Sequence, residues 1–176
     1  MSWYTTFTVA AIAICVGMTV AQEARLVGLV RSGRKVPEIT ATQLRQRQLS
    51  YEARRQQAQR YGAQEPVPDF VLVDVRTPEE TQVSVIPNAM TIEQFEANSE
   101  AFRHRIVICY CTVGFRSEHY ARQLRERNFN AWNFKGSILE WCAAKYPLET
   151  LEHQPTDRVH TYSDDYKVPA EYRAVW

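Results

Sequence analysis

Cysteine is scarce in this chain and badly spaced for a structural role. The 176 residues hold four, and the pair Cys109 and Cys111 is followed by no second pair. That excludes a disulfide scaffold. His104, His119, His153 and His160 form no ligand spacing with them, so neither a metal site nor a cofactor is expected. An excess of charge of one sign is also missing. Twenty-one Lys and Arg meet twenty Asp and Glu, for a net charge of +1. No global case for nucleic-acid binding follows from that balance. Finally, no Lys or Arg precedes the first long apolar run, so a signal peptide here would have an atypical start.

That run is what the amino terminus does have. "FTVAAIAICVGMTVA" (7–21) is free of charge, and Thr19 and Ala21 before Gln22 resemble a signal-peptidase site. Counted from Ser2, the uncharged stretch reaches about twenty residues, enough to span a bilayer. Residues 1–21 are therefore read as a hydrophobic helix, either a cleaved signal peptide or a retained membrane anchor. In both cases the rest of the chain is exported, facing the periplasm or an equivalent extracytoplasmic space.

Residues 22–62 read as a linker and a polar helix. The stretch 37–62 is rich in Gln, Arg and Ala, with Thr40 placed to cap the helix and Gly62 to stop it. Leu44, Tyr51 and Ala58 recur on one side. Arg45, Arg47, Arg54, Arg55 and Arg60 make a solvated face that an anionic membrane surface would also suit.

From residue 70 the pattern alternates. "FVLVDV" (70–75) and "RIVICY" (105–110) are apolar runs of the kind buried on both sheet faces. "VIPNAM" (85–90) and "AWNF" (131–134) are shorter strand candidates, and "RVHTY" (158–162) would add an edge strand. Helical segments fall at 77–82, 91–102, 117–129 and 136–147. Strands separated by helices predict an α/β domain, a parallel sheet of about five strands with helices on both faces. The tail 149–176 lacks a period and is expected to wrap the surface.

Cys111 falls where the second strong strand ends and a helix begins, the edge at which parallel sheets place their ligand sites. Gly114 lets the following backbone curl, so that successive N–H groups face the sulfur and add to the positive end of the next helix. Arg116 brings a full charge. All of these favour thiolate over thiol.

The segments "VLVDVRTPEE", "VIPNAM", "VICYCTVGFRS" and "FKGSILEW" together resemble a rhodanese-like domain, a single-domain sulfurtransferase, over roughly residues 37–148. The resemblance implies that Cys111 accepts a sulfane sulfur from a donor such as thiosulfate, holds it as a persulfide, and passes it to a thiol or cyanide. It makes Thr112, Val113, Gly114, Phe115 and Arg116 the anion-binding loop, with Asp74 and Ser117 in support. Val85 and Asn88 stand where the family often has His and Gly, and Asn88 can take the left-handed turn that Gly would. Phosphatases of related fold place five residues between Cys and Arg. Four stand here, a ring sized for one sulfur rather than a phosphoryl group.

Other roles follow from position. Arg76 and Glu80, four apart, are expected to pair and fix a helix start. Asp74 is expected to bond loop N–H groups or an arginine. Phe115 either lines an acceptor pocket or closes the loop onto the core. Cys109 and Cys142 read as core. Residues two apart in a strand lie nearly 7 Å apart at Cα, which suits no Cys109–Cys111 disulfide. The alternative to an enzyme is a rhodanese-like module that carries sulfur or senses oxidants without turnover at a membrane, with the added helix and tail as surface for a protein partner.

Overall fold

A computed structural model describes residues 35–176. The apolar run 7–21 lies outside the described residues, and no helix among them is long and apolar enough to cross a membrane.

The central sheet is parallel throughout, in the order β1-β5-β4-β2-β3. Its strands are β1 (Glu38–Ile39), β2 (Phe70–Asp74), β3 (Ala89–Thr91), β4 (Ile106–Tyr110) and β5 (Asn130–Phe134). β2 and β4 are the middle pair, in register from Phe70 against Ile106 to Asp74 against Tyr110. Both are covered on two faces, which is why their sequences run apolar without alternation. The pleat then sorts side chains by parity. Leu72, Ile108 and Tyr110 join the cluster beneath α1 (Ala41–Arg60) and α5 (Ser137–Ala143), with Leu44, Ile138 and Trp141. Val71, Val73, Val107, Cys109 and Cys111 join the opposite cluster, with Phe95 of α3 (Ile92–Ala97) and Ala121 and Leu124 of α4 (Phe115–Glu126).

The expected five-stranded sheet is present, with one strand exchanged. Its fifth member is β1, a two-residue edge strand ahead of α1 that pairs with β5. The tail segment 158–162 does not join it. Instead β8 (Arg158–His160) pairs with β9 (Arg173–Val175) in a separate parallel ribbon. A two-stranded piece, β6 (Leu148–Glu149) with β7 (Pro155–Thr156), precedes it. The tail is nonetheless anchored, since Val159 is fully buried in the first cluster and the Tyr172 hydroxyl donates to the Tyr146 carbonyl at 2.6 Å.

Helix boundaries moved where local signals compete. The stretch 91–102 splits at Asn98 into α3 and a 3₁₀ turn, Ser99–Phe102. Between β2 and β3 lies the single turn α2 (Pro78–Thr81), with Pro at its start. Asn88 takes φ 63°, the left-handed turn expected of it.

α1 is more than a solvated appendage, because Ala41, Leu44, Gln48 and Ala58 are buried. Its start is a capping box: the Thr40 hydroxyl accepts from Gln43 N–H, and the Gln43 side chain accepts from Thr40 N–H. Thr40→Ala is expected to cost about 1 kcal/mol in denaturant unfolding. Cys111 chemistry should be unchanged in that variant.

Candidate functional site

β4 delivers Cys111 just beyond its last residue, and α4 begins four residues later with Gly114 as its cap. The helix therefore starts at Phe115, two residues earlier than the polar pattern predicts, and Arg116 lies in its first turn. Gly114 has φ 102°, and a Cβ there would stand 1.8 Å from the Lys135 carbonyl oxygen. Only glycine meets both conditions. The loop is tied down from behind: Ile138 and Leu139 N–H, at the start of α5, donate to the carbonyls of Cys111 and Thr112.

The backbone curls so that Gly114 N–H donates to Cys111 Sγ at 3.1 Å. Ser117 Oγ is 3.6 Å from the sulfur and 2.7 Å from Asn133 Oδ1, and Asn133 Nδ2 donates to the Gly114 carbonyl. Ser137 Oγ accepts from Cys111 N–H at 3.0 Å and lies 3.9 Å from the sulfur. Burial opposes ionisation of Cys111 and is the largest single influence on it. The Ser117 hydroxyl and the N–H groups of Ser117, Gly114 and Val113 outweigh it, so the thiol sits below its ordinary pKa. Cys109 and Cys142 have no such donors. Burial pushes Cys109 far up and Cys142 up to about 12. All three are free thiols. Alkylation of Cys111 by iodoacetamide should have its pH midpoint below that of an ordinary thiol, and Ser117→Ala should move that midpoint up.

Arg116 has a different first partner than the loop reading supposed. Its two terminal nitrogens donate to Glu80 Oε2 and Oε1, each at 2.7 Å. The second also reaches Thr112 Oγ1, which donates to Glu80 Oε1 at 2.9 Å. The Glu80 carboxylate raises the guanidinium pKa most, and the Cys111 sulfur adds to that. The expected Arg76–Glu80 pair does not form. Arg76 is instead sealed against Asp74, with bonds of 2.7 to 3.1 Å, and it reaches the Ser84 carbonyl. Asp74 thus bonds an arginine and not the loop. It organises the strand ends beside Tyr110, whose hydroxyl accepts from Ile86 N–H.

The sulfur borders a pocket of about 200 Å³ lined by Cys111, Thr112, Val113, Phe115 and Arg116 from the loop side. Tyr162 and Tyr166 of the tail complete it. The structure thus brings together the loop residues and Ser117 and leaves Asp74 apart. Asn133, Ser137, Tyr162 and Tyr166 are additions to the sequence reading. For Asn133 a signal existed, as the polar residue within the otherwise apolar "AWNF"; Ser137, beside the charged Glu140 in "SILEW", carried none. For the tyrosines there was none. Among the described residues, no group of three or more His, Cys, Asp or Glu is placed to hold a metal.

The family profile for the rhodanese-like domain matches residues 54–144. The chain belongs to the rhodanese-like domain family. It is 31% identical over 88 residues to a sulfurtransferase of Allochromatium vinosum, an overlap of 48% of this chain and 82% of that one. It is 32% identical over 75 residues to a tRNA sulfurtransferase of Desulfurococcus amylolyticus, an overlap of 43% of this chain and only 15% of that protein. A rhodanese-like domain protein from Staphylococcus aureus has a similar structure, with TM-score 0.45 and 29% identity over 60% of this chain and 90% of that one. α1 begins ahead of the matched rhodanese-like region, and the tail tyrosines lie wholly beyond it.

Proposed function

We infer that this chain is a sulfurtransferase that moves a sulfane sulfur from a donor such as thiosulfate to a thiol or cyanide through a Cys111 persulfide. The observation that carries this reading is the Gly114 N–H aimed at Cys111 Sγ at 3.1 Å, beside an open pocket. The Cys111 thiolate attacks the outer sulfur of thiosulfate. A new Sγ–S bond forms, the donor S–S bond breaks, and sulfite leaves with the electron pair. The outer sulfur then carries the negative charge, within reach of the loop amides. Cyanide attacks that sulfur, thiocyanate departs, and the electron pair of the broken bond returns to Cys111 Sγ. Thr112 through Arg116 serve as the anion-binding loop, and Ser117 supports the thiolate.

The test is incubation of the full chain with thiosulfate, polysulfide or glutathione persulfide. Cys111 should gain about 32 Da, the mass of one sulfur, and cyanide should remove it as thiocyanate. If none of these donors leaves the adduct, the reading fails. An adduct that no acceptor removes would make the chain a sulfur carrier instead. Export or anchoring through residues 1–21 is part of the same proposal, supported by the charge-free run 7–21. Fractionation of cells into cytoplasm, membrane and periplasm tests it, and a wholly cytoplasmic chain would overturn it.

A further inference from the structure

The tail places two aromatic rings at the mouth of the Cys111 pocket, and one is held there against backbone preference. Tyr162 has φ 73°, a region that bulky L-residues avoid. Its neighbours enforce the bend. Tyr162 N–H donates to His160 Nδ1 at 3.1 Å, and buried Thr161 donates through its N–H to Val175 and through its hydroxyl to Ser163. The bend leaves Tyr162 67% exposed, with the Arg116 guanidinium carbon 5.8 Å from the centre of its ring. Strain of this kind persists where the surroundings over-determine it, and it gathers at binding sites.

Arg116 is the one charged side chain among the residues lining the pocket, and its two terminal nitrogens are taken by the Glu80 carboxylate. Anions at the sulfur meet the loop amides, and a negative charge on the body of an acceptor finds no unbalanced cation beside it. What remains is apolar: Val113, Phe115 at 81% exposure, Tyr162 and Tyr166. An apolar cavity of about 150 Å³ holds a benzene ring. The space here, about 200 Å³, admits one ring carrying a sulfur.

We propose that Tyr162, Tyr166 and Phe115 form an aromatic collar that selects the sulfur acceptor, an organic thiol with an aromatic or apolar body. The proposal rests on the sulfurtransferase reading above. The acceptor enters as the neutral thiol RSH and gives its proton to the charged outer sulfur of the Cys111 persulfide, and the RS⁻ so formed attacks that sulfur. The new bond joins the two sulfurs of RSSH, and the Cys111 Sγ–S bond breaks. Its electron pair stays on Sγ as the thiolate that Gly114 N–H stabilises. No oxidant or reductant is needed.

The test loads the full chain with sodium polysulfide and confirms the mass gain on Cys111. Transfer to phenylmethanethiol is then compared with transfer to 2-mercaptoethanesulfonate, a thiol that carries a fixed anion. The ratio of their kcat/KM values should favour the aromatic thiol about tenfold or more. The double variant Tyr162→Gly, Tyr166→Ser should bring that ratio to within about threefold, as the apolar contact is lost. Glycine suits the left-handed backbone at 162, so folding is retained. Tyr162→Phe should keep the preference. Equal use of both thiols by the native chain, or a preference that survives the double variant, overturns the collar alone. Absence of the mass gain with polysulfide, thiosulfate and glutathione persulfide alike removes the sulfurtransferase reading and the collar with it.

Discussion

Cys111→Ser is expected to abolish the sulfur adduct and to lower thiosulfate-to-cyanide transfer by on the order of a thousandfold or more. The fold should survive it. A serine hydroxyl can still accept the Gly114 N–H that now reaches Sγ at 3.1 Å, and Ser117 and Ser137 remain beside it. Unfolding free energy should therefore change by about 1 kcal/mol or less, a few degrees in Tm. The other two cysteines make the converse control. Cys109 and Cys142 are fully buried in the two apolar clusters, with no polar group bonded to either sulfur. A serine there places a hydroxyl without a partner in the core, at a cost of about 1–3 kcal/mol. Mass spectrometry of polysulfide-treated Cys109→Ser and Cys142→Ser should still find the adduct on Cys111. An adduct retained by Cys111→Ser would put the chemistry on another residue.

The parts of this molecule that the sequence announces are those fixed by local chemistry. The runs around Leu72 and Ile108 are long and apolar enough to define the two middle strands. Thr40 and Gln43 carry their own helix start, and Asn88 its own turn. The cysteine loop was legible because glycine, donors and arginine are contiguous with Cys111. The remainder depends on long-range partners. β1 has two residues, too few for any period, and exists only because β5 offers it an edge. The four-residue spacing rule failed for Arg76 and Glu80 because α2 starts at Pro78. Arg76 precedes the helix, so its side chain turns back to Asp74 and leaves Glu80 to face the loop. Nothing near Tyr162 or Tyr166 signals that a tail without a period, more than fifty residues beyond Cys111, would close the pocket.

Glu80→Ala should loosen the cysteine loop and destabilise the fold together. The carboxylate is 3% exposed, yet it gathers four donors: both terminal nitrogens of Arg116, the Thr112 hydroxyl and Thr77 N–H. Removing it leaves a half-buried guanidinium and an open helix start, at a cost of about 3 kcal/mol in denaturant unfolding. The same residue makes stability depend on pH. Burial alone would raise its pKa, but the bond from Arg116, the Thr77 N–H and the Thr112 hydroxyl bring it down to about 2 from 4.5. The folded state thus binds this proton more weakly than the unfolded chain. Its contribution is complete above about pH 4.5 and fades as pH falls toward 2, by roughly 3 kcal/mol in all, about 2 kcal/mol of it by pH 3. Urea titrations at pH 7, 4 and 3 should show the native chain losing that increment, and Glu80→Gln, which cannot ionise, should lack that component of the decline. Parallel declines in the two proteins would mean that the Glu80–Arg116 bridge does not fasten the loop to α2 in solution.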